Sequence, residues 1–127
     1  MPNEPNWLPI EVVIDHNRLE LAETGEPHFL RDVGLLESAL ARPRNAFAYG
    51  EEDIVILAVR LLAAIAQAHA FDKRTAFAAT RLFLSANGYD TAFDDTVWWA
   101  NEVINLVEHR STEEDFARTL RPFVVER

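Results

Sequence analysis

The sequence predicts an all-α protein, a compact bundle of about six helices. Apolar residues recur at intervals of three and four along successive segments, which is the spacing of one face of a helix. No stretch alternates cleanly with a period of two, and glycine or proline separates several of the apolar segments. With 127 residues, of which 49% are apolar and 26% charged, the chain can bury one hydrophobic core. We therefore expect a single domain over residues 1–127.

Two short helices are predicted before the most apolar part of the chain. The first runs from Ile10 to about Ala22, where Gly25 and then Pro27 stop it. The second can be capped by Asp32. We expect it to end near Pro43, because proline has no N–H to donate inside a helix.

The next two segments are predicted to be the core of the bundle. The third helix has apolar residues on two faces, which predicts a central, buried position: Ile54, Val55, Leu57, Ala58, Val59, Leu61, Leu62, Ala63 and Ile65. Its partner runs from about Lys73 to Asn87, apolar nearly all round through Phe77, Leu82 and neighbouring residues, and Gly88 is a good stop for it.

Two further helices complete the prediction. One carries an apolar stripe made of Val97, Ala100, Val103, Ile104 and Val107. The last begins at a predicted capping box formed by Ser111 and Glu114. The adjacent Trp98 and Trp99 are expected to divide into one surface ring and one core ring.

Composition and charge exclude several classes of function. The chain has no cysteine, so disulfides, thiolate metal sites and cysteine nucleophiles are excluded. The net charge of −9 argues against broad binding to nucleic acid. The longest apolar run, from Ile54 to Phe71, contains Arg60, Gln67 and His69, which argues against a membrane span. The first residues do not resemble a signal peptide, so we expect a cytoplasmic protein.

The segment His69–Thr75, with the sequence HAFDKRT, lies between the two most apolar helices. It resembles the signature of the Fic/Doc (death-on-curing) family, whose Doc branch reads approximately HxFxDGNKRT before an apolar helix. The resemblance extends over roughly the first two-thirds of the chain, through LRDVGLLESALARP (30–43), AFAYG (46–50), TAF (75–77), FL (83–84) and NGY (87–89).

The resemblance implies the compact helical Fic/Doc fold and a transfer reaction from ATP or another nucleoside triphosphate to a protein hydroxyl. His69 would be the general base. Asp72 would help to hold Mg²⁺, and Lys73 and Arg74 would bind the phosphates. From the residues alone, other readings stay open: His69 as a core histidine, Asp72 as a helix N-cap, and the basic pair as a solvated helix start.

The sequence departs from the signature at one place. Three residues, including the Gly-Asn pair, are absent between Phe71 and Lys73. In the family this pair turns the chain so that backbone N–H groups can bind an anion. Without it a helix could run straight through, placing His69 and Lys73 on one face. A natural loss, an engineered deletion and residues missing from the sequence would all give this pattern.

Two branches of the family are distinguished by residues near the motif. The AMP-transferring Fic enzymes read HPFxxGNGRxxR, with glycine at the position of Lys73 and a second arginine at the position of Phe77. This chain is more similar to the Doc branch. That similarity implies a kinase-type toxin acting on elongation factor Tu or another translation factor and neutralised by a Phd-type antitoxin. A catalytically inactive binding domain and an AMP-transferring enzyme are the alternatives.

Overall fold

The computed structural model describes residues 4–24, 33–67, 73–92 and 96–127. Within these residues the chain forms six α-helices and a two-stranded antiparallel ribbon, which confirms the all-α prediction. In chain order the elements are α1 (Ile10–Thr24), α2 (Val33–Ala48), α3 (Ile54–Gln67), α4 (Lys73–Ala86), β1 (Tyr89–Thr91), α5 (Val97–Val107), α6 (Glu113–Leu120), a 3₁₀ turn (Arg121–Phe123) and β2 (Val124–Glu126).

Helix α3 is the centre of the bundle, as predicted. Nine of its residues are buried, and it packs against α2, α4, α5 and α6. Asp53 lies just before the helix and caps its first turn, since its Oδ1 accepts a hydrogen bond from the Val55 N–H at 3.0 Å. No helix within the described ranges is long and apolar enough to cross a membrane.

Helix α2 does not end near Pro43, and that prediction was wrong. The helix continues to Ala48, with Pro43 buried in its interior. Proline inside a helix removes one backbone hydrogen bond, and its ring clashes with a carbonyl of the preceding turn. The residues beyond it still gain from helix formation, because Ala46 and Phe47 pack against the core. The predicted cap, Asp32, lies outside the described residues.

The capping box of α6 lies one residue later than predicted. Thr112, not Ser111, is the N-cap, and its side chain accepts from the Asp115 N–H at 3.0 Å. The Asp115 carboxylate in turn accepts from the Thr112 N–H at 3.2 Å. Glu114, which the prediction used, instead forms an ion pair with Arg60 at 3.3 Å.

The ribbon was not predicted, because each strand has only three residues. Gly88 follows α4 with a φ of +89°, a conformation that glycine adopts without strain, so its predicted role as a stop is confirmed. After this turn the chain forms β1, which pairs with β2 so that Asp90 lies opposite Val125. The ribbon therefore packs beside α4.

The ring of Trp99 joins α4, α5, α6 and the 3₁₀ turn. It is 4% exposed, and its centroid lies 5.8 Å from Phe77, 6.0 Å from Phe116 and 5.5 Å from Phe123. Its neighbour Trp98 is 52% exposed. The predicted division into one core ring and one surface ring is confirmed.

Candidate functional site

Two of the predicted site residues fall in the described part of the chain. Helix α4 begins at Lys73, whose backbone alone is described. Arg74 follows it and has an exposed side chain. His69 and Asp72 lie outside the described residues. Whether one helix runs through the motif is likewise a question about residues 68–72. The described portion contains no cluster of three or more acidic or histidine side chains that could hold a metal ion.

The first turn of α4 is tied to α1 by a buried polar pair. The Asn17 Nδ2 donates to the Thr75 Oγ1 at 3.0 Å, and the two residues are 3% and 0% exposed. Such a pair is costly to separate, because a buried amide without its hydrogen bond loses the solvation it had in water. The pair therefore fixes the turn that carries Arg74. Sequence reasoning missed it, since the two residues are 58 positions apart.

Helix α4 has two different faces. One packs into the core and consists of Thr75, Ala76, Phe77, Ala79, Thr80, Phe83 and Leu84. The other face carries residues that lie outside the core, among them Arg74, Ala78, Arg81, Leu82 and Ser85. Leu82 is 36% exposed, so the prediction of a helix apolar nearly all round overstated its burial.

The outer face of α4 is the floor of a groove of about 550 Å³, which we call the α4 groove. Within the part of the chain that the structure describes, one residue of α1 and all three residues of β1 complete its walls. The lining residues are His16, Arg74, Phe77, Ala78, Arg81, Leu82, Ser85, Tyr89, Asp90 and Thr91. A concave site of this size with a few polar groups on an apolar floor is typical of a binding site.

The charge of the α4 groove differs from that of the whole chain. The protein carries 21 acidic against 12 basic residues, but among the described residues the charged side chains that line the groove are Arg74, Arg81 and Asp90. The Arg81 Nε donates to the Thr91 Oγ1 at 2.9 Å and so connects α4 to β1. Within the described ranges, no ion pair joins Arg74 to a carboxylate. The groove is therefore suited to an anionic ligand.

A second charged cluster, outside the lining of this groove, joins α2, α3 and α6 and has a structural role. Glu113 accepts from Arg60 at 3.0 Å and from Arg42 at 2.6 Å, which links α6 to α3 and α2. Partial burial alone would lower the pKa of Arg60, but the hydrogen bonds and charges of Glu113 and Glu114 outweigh it and raise the pKa. Because its charges are paired with one another, this cluster is no candidate for a ligand site.

A comparison with models of protein families identifies the family of this chain. The family model described as "Fic/DOC family" matches residues 7–84, which is more than half of the chain. The chain belongs to the Fic/DOC family. The match extends from before α1 to within α4, so it includes the motif and Arg74, whereas β1 lies beyond it.

A curated relative supports the Doc branch of the Fic/DOC family. The chain is 40% identical over 92 residues to "Toxin Doc" of Mycolicibacterium smegmatis (strain ATCC 700084 / mc(2)155). The alignment covers 68% of this chain and 70% of that protein. The resemblance predicted from HAFDKRT and its flanking segments is confirmed at the level of the family.

Proposed function

We propose that this protein is a Doc-like toxin that transfers a phosphoryl group from a nucleoside triphosphate to a hydroxyl of a translation factor such as elongation factor Tu. One observation carries the proposal beyond family membership: Arg74 lies exposed in the first turn of α4, beside an anion-suited groove. A cation at a helix N-terminus is opposed by the helix dipole, so it fits best where an anion is bound.

The proposed chemistry assigns a role to each motif residue. His69 takes the proton from the acceptor hydroxyl as its oxygen bonds to the γ-phosphorus and the bond to the leaving nucleoside diphosphate breaks. Lys73 and Arg74, together with the N–H groups that begin α4, bind the phosphates. Asp72 would hold Mg²⁺, which supplies charge neutralisation on the phosphates when bound. An antitoxin of the Phd type would neutralise the activity in the cytoplasm.

The shortened motif favours a second candidate function. Without the Gly-Asn pair, several N–H donors to the phosphates are lost together, and losing one such donor typically costs about 100-fold or more in rate. The chain with this sequence is therefore expected to fold but to have no measurable transferase activity. In that form it would act only by binding its antitoxin or another protein.

One experiment tests the proposal and separates the candidates. The chain, and a variant with three residues inserted to restore an Asp-Gly-Asn-Lys order, are each incubated with a translation extract and a triphosphate labelled at either the γ- or the α-phosphate. We expect γ-label on a translation factor with the restored variant alone. His69→Ala in that variant should abolish the transfer, and Arg74→Gln should lower it by about 100-fold.

Each other result contradicts part of the proposal. Transfer of α-label would assign the protein to the AMP-transferring branch. Robust transfer by the chain without the insertion would show that the Gly-Asn pair is dispensable and that the motif residues are assigned wrongly. No transfer by either chain would favour the binding function.

A further inference from the structure

Helix α1 packs on the core through a face that contains two buried residues one turn apart. Val13 is fully buried, and Asn17 is 3% exposed. Residues at i and i+4 lie on the same face of a helix, so both side chains face the core. His16, which precedes Asn17, lines the α4 groove. The position of Asn17 therefore also fixes this wall of the groove relative to its floor.

The side-chain amide of Asn17 has one hydrogen bond and one atom without any. Its Nδ2 donates to the Thr75 Oγ1 at 3.0 Å, in the first turn of α4. Its Oδ1 is buried as well, and no group of the described residues donates to it. A buried acceptor without a donor costs stability, and two apolar side chains of similar shape would avoid that cost. The pair is therefore not the arrangement that would stabilise this helix contact best.

The pair differs from an apolar contact in that it has a direction. A hydrogen bond depends on the separation and the angle of its two groups, whereas the hydrophobic effect is non-directional. Successive residues of an α-helix are about 100° apart around its axis. Because Thr75 is bonded to α1, the rotation of the first turn is set, and Arg74, the residue before it, is directed at the α4 groove.

We propose that Asn17 is a positioning residue for phosphate binding: through Thr75 it holds the first turn of α4 in the rotation that directs Arg74 at the phosphates of the nucleoside triphosphate. The inference rests on the proposed function and gives α1 a part in it. Because Asn17 is buried, it acts on the phosphates only through the turn that it holds.

The proposal separates stability from phosphate binding. Asn17→Leu combined with Thr75→Val replaces both polar partners and leaves no buried amide unpaired, so this double variant should unfold at a higher urea concentration than Thr75→Val alone. Its first turn nevertheless lacks the directional bond. Thr75→Ser is the converse, because it keeps the hydroxyl and loses a buried methyl group. It should be less stable than the native chain and should bind phosphates as well as before.

Calorimetric titration with inorganic tripolyphosphate and with ATP measures the effect. The changes are made in the full chain with the three motif residues restored. We expect the double variant to raise the Kd for both ligands by at least about tenfold, because a small misplacement of a positioned group has a large effect. Thr75→Ser should stay within about threefold. The KM for ATP in the γ-label transfer should rise in the double variant with the Kd. Partial unfolding would instead lower the number of binding sites per chain and leave the Kd unchanged.

A double-mutant cycle tests whether the bond acts through Arg74. In the Arg74→Gln background, the double change at Asn17 and Thr75 should alter the Kd by less than about threefold, because the side chain that it directs is absent. Thr80→Val is the control, since it removes another buried threonine hydroxyl of α4, one that donates to the Ala76 carbonyl of the same helix. It should leave the Kd unchanged.

The possible failures of the two proposals differ. Binding and transfer that are the same with and without the bond, or a lower number of sites at an unchanged Kd, would overturn the positioning role and leave the proposed function intact. Equal weakening by Thr75→Ser and by the double variant would overturn it too, as would additive effects with Arg74→Gln. If the double variant does not fold, Asn17→Ala, which loses the amide without adding volume, replaces it in each comparison. A restored chain that neither binds ATP nor transfers label would refute the proposed function, and with it the positioning role.

Discussion

Helices α3 and α4 are neighbours of equal length, 14 residues each, but they divide their residues differently between the core and the surface. Helix α3 is buried on most of its circumference, and its charged residue, Arg60, is paired with Glu113 on α6. Helix α4 buries one face in the core, and its other face lines the α4 groove.

The difference explains why the candidate site lies on α4 and not on α3. A helix that is buried all round contributes only to stability, because each of its side chains contacts the core. A helix buried on one face can carry binding residues on the other without a loss of packing. In this chain the predicted phosphate ligand Arg74 and the groove both belong to the helix of the second kind.

The largest expected effect tests this comparison directly. Leu62→Ala in α3 should lower the free energy of unfolding by about 2–5 kcal/mol, because Leu62 is fully buried and its removal leaves a cavity. The matched change on α4, Leu82→Ala, should cost less than about 1 kcal/mol, since that side chain is 36% exposed. Urea denaturation of both variants measures the difference. Similar losses would mean that the outer face of α4 belongs to the core.

A smaller effect is expected at the inner face of α4. Thr75→Val leaves the Asn17 amide buried without its partner and should cost about 1–3 kcal/mol. Thr80→Val is the control, because the Thr80 hydroxyl donates to the Ala76 carbonyl of its own helix and its loss leaves no amide unpaired. In the double variant with Asn17→Leu part of the loss should be recovered. Urea denaturation would contradict the buried link if both threonine variants lose the same stability.

A change of about 1 kcal/mol should locate the start of α6, which packs on α3. Thr112→Ala removes the N-cap and should cost about that amount. Ser111→Ala should be close to neutral, because the buried Ser111 hydroxyl has no hydrogen-bond partner in the structure. Thermal unfolding of the two variants is the measurement. The reverse order of stability would restore Ser111 as the cap.

The smallest effect concerns the charge that begins α3. Burial alone would raise the pKa of Asp53, but hydrogen bonds from Arg121 and the Val55 N–H, and the charge of Arg121, outweigh it and lower the pKa below its ordinary 3.8. A lowered pKa in the folded state stabilises the protein above pH 3.8, and this stability is lost as the pH falls through the folded pKa. Asp53→Asn keeps a capping side chain and should remove that part of the pH dependence. Unfolding midpoints on either side of pH 3.8 that change in parallel for both proteins would contradict the assignment.

The helices of the core could be predicted from the sequence because a helix repeats a local pattern. The residues from Ile54 to Ile65 specify both the helix and its burial, since apolar side chains occupy more than one face. The errors arose where a local signal was outweighed. Pro43 is a strong stop signal, but packing of Phe47 beyond it holds the helix together. Ser111 and Thr112 are both capping residues, and their backbone conformations decide between them.

The candidate site was only partly predictable from the sequence, for a different reason. The motif pointed to Arg74 and to the start of α4, because both lie within one short segment. The groove depends on pairing between β1 and the distant β2, and on a side chain of α1, which no local pattern contains. One signal could have been used. Arg74, Ala78, Arg81, Leu82 and Ser85 recur at helical spacing with less apolar character than the opposite face.

The separation of the two faces of α4 also affects how the family can diverge. Substitutions at Ala78, Leu82 or Ser85 alter the groove but remove little from the core, so selection for folding constrains them weakly. Substitutions at Phe83 or Leu84, on the opposite face, are removed by that same selection. Mutation along this one stripe can therefore change the surface of the groove, while the residues that pack the core stay the same.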